Sequence, residues 1–313
     1  MASPSFPAAL PPDENRGPTI DAIAWVGCVI ATIFIALRLY SRTFVTRSLD
    51  WDDAIVVFGG ILNIITIALS SVSIHYGVGR HLLYLSNEQI VNALYYQAIQ
   101  RPPGILAYCV PKLSVVILLV RLMSQARRGA WLLYSITIVL FITSILSFIL
   151  FFAQCKPTSA LWNPFIQPPP ECLPPLVLNV VTYIAGSWSA FVDIVLATFP
   201  VYLLWDLKMK KSRKITAMMV MALGTFASVA AIAKTTQLSI NHSKDATWEA
   251  FWLFITTYIE IDLVIIAACA PTLPKLVKKI MGKDVDGSKA PRLGYPPTQP
   301  ASRGYREFGS EYD

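Results

Sequence analysis

The chain has 313 residues, of which 55% are hydrophobic and only 14% are charged, whereas soluble globular proteins carry about 25% charged residues. So few charges exclude a water-soluble enzyme, and so many apolar residues exclude a chain that is disordered throughout. The net charge of +7 comes from bases clustered between long apolar runs, which is typical of a membrane–cytosol boundary and predicts no nucleic-acid partner.

Seven apolar stretches have the length of membrane-spanning helices. The hydrocarbon core of a bilayer is about 30 Å thick and needs about 20 apolar residues per helix. Stretches that meet or approach this length lie at 20–40, 54–76, 104–123, 131–152, 177–204, 215–238 and 249–270. They predict an all-α membrane protein with a seven-helix transmembrane domain at 20–281. Polar tails at 1–19 and 282–313 flank this domain, and we expect both tails to be disordered.

The third stretch is interrupted on its N-terminal side. Its apolar pattern extends back to Ile90, but Arg101, Pro102 and Pro103 stand between. Two adjacent prolines remove two amide donors, so we expect the helix to break or kink there and the span to begin only at Gly104.

The basic residues predict the direction in which the helices cross the membrane. Lysines and arginines concentrate in the first, third and fifth loops and after the last span, and they are sparse in the other loops. Because cytosolic loops carry such an excess, the N-terminus should lie outside and the C-terminus in the cytosol. The membrane in question is either the plasma membrane or the endoplasmic reticulum.

Two features of the loops predicted to lie outside agree with this orientation. Asn241 begins an Asn-His-Ser sequon in one of them and is a predicted glycosylation site. Cys155 and Cys172 share another, where oxidation is permitted, so we expect a disulfide between them. Two unpaired thiols are the alternative.

Acidic residues open the second predicted span. Asp52 and Asp53, which follow Asp50, have two interpretations. They cap the N-terminus of the helix, where carboxylates face the positive end of the helix dipole. Alternatively, they pair with Arg42 or Arg47 and hold the inner loops in one of two arrangements, as a signalling switch requires.

A glycine-rich turn follows the second span. Gly77 and Gly79 permit a tight turn, and His75 and His81 flank it. Two histidines suggest a metal site or a sensor of external pH. No third or fourth ligand is near in the sequence, so we favour a structural turn and expect no metal.

Charged residues within the predicted spans are the most informative group, because charge in hydrocarbon is costly and normally has a partner or a function. They are Lys112, Asp193, Lys234, Glu260 and Asp262. Two positions along a helix correspond to about 200°, so Glu260 and Asp262 should face different neighbours. Either the lysines only neutralise the carboxylates, or the group lines a ligand pocket or supplies an acid and a base.

Several chemistries have no support in the sequence. There is no phosphate-binding Walker A loop, no HExxH zinc motif and no GxSxG nucleophile turn. The last predicted span contains no lysine for a retinal Schiff base. We therefore expect no cofactor, and light capture of the opsin type is not predicted.

The order and spacing of several motifs resemble the fungal rhodopsin-domain family of seven-helix membrane proteins, over about residues 20–279. The matching residues are Arg38 and Arg42, Asp52 and Asp53, Gly77-Val78-Gly79-Arg80-His81, Lys112-Leu113-Ser114, Phe152, Cys155-Lys156-Pro157, Trp162, Cys172, Asp193, Pro200, Asp245-Ala246-Thr247-Trp248 and Glu260. The chain departs from the family pattern at Arg101-Pro102-Pro103, and Lys234 stands where an arginine is expected. The family includes receptor-like proteins of plant-pathogenic fungi and membrane proteins encoded in secondary-metabolite gene clusters, such as the satratoxin clusters.

The resemblance and the buried charges lead to two hypotheses. The first is a receptor-like protein in a lipid bilayer, which senses a small or lipophilic ligand and contacts a cytosolic signalling protein. The second is a membrane enzyme or accessory protein of fungal secondary-metabolite biosynthesis. In an isomerase or cyclase of this kind, Asp193 and Glu260 would act as acid and base on a lipophilic substrate.

Overall fold

The computed structural model describes residues 13–46, 49–122, 127–205, 211–237 and 246–280. Within these ranges the chain forms long helices, one short C-terminal helix and a small two-stranded hairpin. The helices are α1 (Gly17–Tyr40), α2 (Trp51–His75), α3 (Asn87–Leu122), α4 (Arg127–Ala153), α5 (Pro175–Trp205), α6 (Lys211–Gln237), α7 (Ala246–Cys269) and α8 (Leu273–Ile280). The prediction of an all-α membrane protein is confirmed. Asn241 and the predicted tail at 282–313 lie outside the described residues.

Among the described residues, six helices are long and apolar enough to cross a membrane: α1 to α5 and α7. In α6 the apolar stretch that qualifies is shorter and covers Met221–Lys234. The chain is thus a multi-pass membrane protein.

The helices pack in a closed arrangement around α3 and α7. Helix α1 contacts α2 and α7, α3 contacts α2, α4 and α7, and α6 packs between α5 and α7. Small and branched apolar side chains such as Val116, Leu140, Val192 and Ile261 form the buried core. In α4, by contrast, isoleucines point outward, where a bilayer would cover them: Ile138, Ile142, Ile145 and Ile149.

The expected break in the third span does not occur. Helix α3 runs without interruption for 36 residues and contains Pro102, Pro103 and Pro111 in its interior. Membrane helices tolerate proline where packing against neighbours holds the backbone. That packing is present, because Gly104 lies against Thr66 of α2 and Arg101 lies over the ring of Phe151 of α4 at 4.0 Å. The helix therefore begins at Asn87, well before the predicted start.

The two ends of the bundle differ, and we name them by their elements. At the hairpin end, β1 (Cys155–Lys156) pairs with β2 (Glu171–Cys172) in an antiparallel hairpin. Cys155 lies opposite Cys172 and is bonded to it, so the predicted disulfide is confirmed. The three other cysteines, Cys28, Cys109 and Cys269, are unpaired and buried.

At the opposite end, which we call the α8 end, the chain folds back on itself. A π-helical segment at Ser41–Thr46 extends α1, and a 3-10 turn at Ala270–Thr272 connects α7 to α8. The ammonium group of Lys279 in α8 donates to the carbonyl of Phe44 at 3.0 Å. This hydrogen bond holds α8 against the end of α1.

An N-terminal latch, formed by residues 13–16 on the turn after α2, holds the beginning of α1. Arg80 donates to both carboxylate oxygens of Asp13 at 2.7 and 2.5 Å, and Arg16 N donates to Gly79 O at 2.9 Å. Gly79 has φ +92°, and a Cβ there would lie 2.6 Å from the backbone nitrogen of Gly17. Only glycine fits, so the glycine-rich turn is a docking surface for the segment that leads into α1.

The ion pair between Asp13 and Arg80 shifts the pKa of both groups. The hydrogen bond from Arg80 lowers the pKa of Asp13 below its ordinary value of 3.8, and the same bond raises the pKa of Arg80. A carboxylate with a lowered pKa stabilises the folded arrangement at all pH values above its ordinary one. This contribution is lost as the pH falls through the lowered value.

We expect the variant Arg80→Gln to loosen the latch, because the carboxylate of Asp13 loses its donor. The amide of Arg16 should exchange with deuterium severalfold faster at neutral pH, after correction for intrinsic rates. The wild type should reach the same fast exchange only below pH 3.8. The control is Glu88→Gln, which removes an exposed carboxylate at the start of α3 that does not contact the latch. Unchanged exchange in Arg80→Gln would show that the ion pair does not hold the segment.

Candidate functional site

Four ionisable side chains from four helices meet in the middle of the bundle, and we call them the central charge cluster. They are Lys112 of α3, Asp193 of α5, Lys234 of α6 and Glu260 of α7, and all four are buried. The ammonium nitrogen of Lys112 lies 2.8 Å from Asp193 Oδ2 and 3.1 Å from Glu260 Oε1. Lys234 pairs with the other oxygen of Glu260. Four of the five predicted intramembrane charges are thus brought together.

The central charge cluster is neutral and densely hydrogen-bonded. Lys112 uses all three ammonium hydrogens, because it also donates to Ser189 Oγ at 2.8 Å. Ser189 in turn donates to Glu260 Oε1 at 3.1 Å. Two lysines balance two carboxylates, which is what a low-dielectric environment requires of buried charges.

Two members of this network were not predicted. Ser189 precedes Asp193 by four residues, and Tyr108 precedes Lys112 by four residues, so each shares a helix face with its charged neighbour. That spacing was the available signal. The ring centre of Tyr108 lies 5.6 Å from the ammonium nitrogen of Lys112 and 5.0 Å from that of Lys234, close enough for cation–π attraction.

A cavity of about 210 Å³ adjoins the central charge cluster. Of the cluster, only Lys234 lines the cavity, together with Tyr108, while Lys112, Asp193 and Glu260 lie behind them. The remaining lining residues come from α2 to α5 and α7: Thr66, Gln97, Gln100, Arg101, Gly104, Ile105, Ser147, Phe148, Phe151, Leu178, Thr182, Ala185, Gly186, Leu253, Phe254, Thr257 and Tyr258.

Three buried polar atoms at the cavity have unused hydrogen-bonding capacity. Among the described residues, Gln100 Oε1, Ser147 Oγ and Tyr258 Oη have no hydrogen-bond partner. Buried polar groups are normally satisfied, so unsatisfied ones in a cavity wall suit a ligand that supplies the missing partner. The walls between them are mainly apolar, as Phe148, Phe151 and Leu253 illustrate.

Asp262 lies apart from the cavity. Its Oδ1 accepts a hydrogen bond from Asn63 Nδ2 of α2 at 2.8 Å, and its Oδ2 occupies the space where a Cβ of Gly27 would lie. Glu260 faces α3, α5 and α6, whereas Asp262 faces α1 and α2. The helix geometry that separated the two carboxylates in the sequence therefore separates them in space.

A second group of charges, the α8-end charge cluster, joins α1, α2 and α3. It consists of Arg38, Arg42, Arg121, Asp50, Asp52 and Asp53. Arg38 is fully buried and donates from Nε to Asp53 at 2.7 Å and from Nη2 to Asp52. Its third contact is the carbonyl of Ala268 near the end of α7. The sequence had suggested Arg42 or Arg47 as the partner, and Arg47 lies outside the described residues. The dominant role of Arg38 was missed.

Helix capping and ion pairing by the aspartates are both present in the α8-end charge cluster, and the signalling switch stays a prediction. Asp53 Oδ2 accepts from the backbone nitrogen of Asp50 at 3.0 Å, which caps α2. Arg42 Nη2 also lies 3.3 Å from Asp52 Oδ2, so the predicted ion pair is formed as well. Capping and ion pairing use different oxygens and do not compete.

Helices α3 and α7 connect the two clusters. Lys112 and Arg121 are nine residues apart on α3, which is about 14 Å at 1.5 Å per residue. On α7, Glu260 belongs to the central charge cluster and the Ala268 carbonyl contacts Arg38. A shift of α7 would therefore change contacts in both charge clusters.

The glycine-rich turn does not bring metal ligands together. His81 stacks on Trp248 with ring centres 4.1 Å apart, and Arg16 lies 4.0 Å over Trp248. Among the described residues, no group of three or more His, Cys, Asp or Glu is placed to hold a metal ion. Gly77, with φ +122°, and Gly79 serve the turn itself.

Comparisons with known proteins agree with this architecture. The sequence profile of the fungal rhodopsin domain matches residues 37–279. The chain is 27% identical over 178 residues to a SAT4 family membrane protein of Emericella nidulans, covering 56% of this chain and 43% of that protein. It is 24% identical over 284 residues to the polyenoic acids biosynthesis gene cluster protein Ba17b of Metarhizium anisopliae, covering 85% and 76% respectively. No solved structure shows significant similarity.

Breaking the central charge cluster should destabilise the protein strongly. In Lys112→Met, Asp193 loses its cation while Lys234 still balances Glu260. Removing one partner of a buried ion pair costs about 3–5 kcal/mol of unfolding free energy. The double variant Lys112→Met with Asp193→Leu restores neutrality and should recover most of this loss.

Denaturant unfolding of the purified protein in detergent measures both effects. The control is Lys156→Met, an exposed lysine in the hairpin, for which we expect a change within about 0.5 kcal/mol. A double variant as unstable as Lys112→Met would contradict the view that neutrality governs this site.

Proposed function

Because the chain belongs to the fungal rhodopsin domain family, we propose that it is a receptor-like membrane protein that binds a small lipophilic ligand inside its helix bundle. The observation that carries this proposal is the position of Lys234. Its side chain lines the cavity and also pairs with Glu260 of the central charge cluster. A ligand in the cavity would therefore contact the group that balances a charge on α7.

The signal would travel through α7. A ligand that changes the position of Lys234 or Tyr108 changes the pairing of Glu260, and a shift of α7 changes the contact between Ala268 and Arg38. The α8-end charge cluster then favours one of two arrangements, which is how a ligand with unequal affinity for two states acts. A cytosolic signalling protein would bind at the α8 end.

In this proposal all of α1 to α7 cross the membrane, with the N-terminus outside and the α8 end in the cytosol. Helix α6 has 27 residues, about 40 Å at 1.5 Å per residue, and lies between two helices that qualify as spans. The basic loops support the orientation, as do the disulfide-bonded hairpin and the sequon on the opposite side. The plasma membrane and the endoplasmic reticulum both fit it.

The orientation predicts that Asn241 is glycosylated, because its loop would face the lumen of the secretory pathway. Treatment of the expressed protein with an endoglycosidase should increase its electrophoretic mobility. The variant Asn241→Gln should run at the treated position from the start. The matched control is Asn163→Gln, since Asn163 is followed by Pro164 and begins no sequon. A reporter fused after residue 313 that is accessible from outside intact cells would reverse the proposed orientation.

A second candidate is an accessory role in secondary-metabolite biosynthesis. The name of the Metarhizium anisopliae relative refers to a polyenoic acids biosynthesis gene cluster, and this favours a pathway role. Catalysis by Asp193 and Glu260 has less support, because both carboxylates are bound to lysines and neither lines the cavity. Within this candidate, a binding or escort function therefore fits the geometry better than an isomerase or cyclase.

Filling the cavity should abolish the receptor function without unfolding the protein. Gly186 lines the cavity, whereas the adjacent Ser187 is exposed on the outside of α5. In a deletion strain, we expect wild type and Ser187→Phe to restore the transcriptional response to lipophilic extracts of fungal cultures. Gly186→Phe should shift the concentration needed by about tenfold or more, as a loss of about 1.4 kcal/mol in binding would.

Two outcomes contradict the receptor proposal. One is a deletion strain that responds to every extract as the wild type does. The other is a Gly186→Phe strain with a normal response at a normal protein level. If the deletion changes the metabolite profile while all responses persist, the pathway role replaces the receptor role.

A further inference from the structure

Arg101 is a cation without a counter-ion in the wall of the cavity. Its guanidinium lies 4.0 Å over the ring of Phe151. Among the described residues, no carboxylate lies within ion-pair distance of it and no hydrogen bond to it is formed. The members of the central charge cluster are ion-paired, and Asp262 is hydrogen-bonded to the neutral amide of Asn63. Arg101 is exposed at the cavity, and no charged partner neutralises it among the described residues.

The lining of the cavity carries a net positive charge. Arg101 and Lys234 both line it, and none of the described lining residues is acidic. The charge of Lys234 is balanced from behind by Glu260, so that of Arg101 remains. An anion bound in the cavity would pair with this cation, and the apolar walls around the pair would strengthen their attraction.

The surroundings of Arg101 suit an anionic group in particular. Its guanidinium donates no hydrogen bond within the described residues, so its N–H groups are available for a carboxylate or phosphate. The unsatisfied hydroxyl of Ser147 lines the same cavity and can donate a further hydrogen bond to the anion. The unsatisfied atom of Gln100 is its carbonyl oxygen Oε1, which only accepts and does not contribute to anion binding.

The rest of the cavity suits an apolar body. Arg101 and Tyr108 are seven residues apart on α3, about 10 Å along the helix axis, which is the length of a medium-chain hydrocarbon. Apolar side chains from other helices line this path: Phe148, Phe151, Leu178, Leu253 and Phe254. The polar part of the wall at Arg101 is thus followed by an apolar part along the same cavity.

We propose that the cavity binds an amphipathic anion, with its carboxylate or phosphate on Arg101 and its hydrocarbon part directed toward Tyr108 and Lys234. This inference rests on the proposed ligand-binding function and specifies the chemical class of the ligand. It also assigns Arg101 as the residue that selects an acid over a neutral lipophile of the same shape.

The test uses two photoactivatable probes on the full-length protein in phosphatidylcholine bilayers. One is a medium-chain fatty acid carrying a diazirine, and the other is the corresponding alcohol. We expect the acid to label the wild type at about tenfold lower concentration than the alcohol, as one charge-assisted hydrogen-bonded pair would produce. Labelled peptides should come from the helices that line the cavity.

Variants of Arg101 show whether the charge of this residue, rather than the shape of the cavity, selects the acid. Arg101→Gln should lose the preference for the acid while its labelling by the alcohol is unchanged, which also shows that the cavity is intact. Arg101→Lys should retain part of the preference. The control Lys156→Gln removes an exposed cation from the hairpin and should keep the full preference.

An anionic phospholipid carries the same chemistry as a free acid, so the labelling is repeated with phosphatidic acid in the bilayer. Suppressed labelling by the acid identifies a lipid headgroup as the natural anion, and unchanged labelling identifies a free acid; both support the anion site. Equal labelling of the wild type by acid and alcohol overturns the inference but leaves the ligand-binding function intact. Retained preference in Arg101→Gln overturns the role of Arg101. Absence of labelling by either probe overturns the proposed function together with the inference.

Discussion

A charge buried among membrane-spanning helices needs an ion-pair or hydrogen-bond partner, and this requirement explains how the bundle is arranged. Apolar surfaces alone specify helix contacts weakly in a membrane, because lipid tails are as apolar as leucine. The central charge cluster supplies the missing specificity. Since its four members come from α3, α5, α6 and α7, each helix must present one particular face to the centre. Rotation of any one of these helices would leave a buried charge without its partner.

The α8-end charge cluster performs the same task for the remaining helices. Arg38 connects α1 to α2 through two aspartates and to α7 through the carbonyl of Ala268. The bundle is therefore held by two polar layers with apolar packing between them. Two layers that share α3 and α7 form a coupled system, because neither helix can move at one level without straining the contacts at the other. The cavity adjoins the central charge cluster and not the α8-end charge cluster. A change that begins in the cavity would therefore reach the central charge cluster first and the α8 end second.

What the sequence predicted follows from properties that are local along the chain. Hydrophobic length located the spans, the position of Cys155 and Cys172 in one loop predicted their bond, and helix angle separated Glu260 from Asp262. The failures concern neighbours in space. The rule that proline breaks helices is local, and the packing that keeps α3 continuous through Pro102 is not. Nothing in the apolar pattern states which helices are adjacent, so neither the partners of Arg38 nor the place of Arg101 was available from it.

The contact between Asp262 and Gly27 has a consequence for how this protein can vary. The carboxylate of Asp262 fills the volume that any side chain at position 27 would need, and Asn63 holds that carboxylate in place. A larger residue at 27 becomes acceptable only after position 262 has lost its carboxylate or turned away. The two positions therefore favour a mutational order: substitution at 262 opens the way for substitution at 27. In the reverse order, the carboxylate of Asp262 must first turn away and give up its hydrogen bond from Asn63.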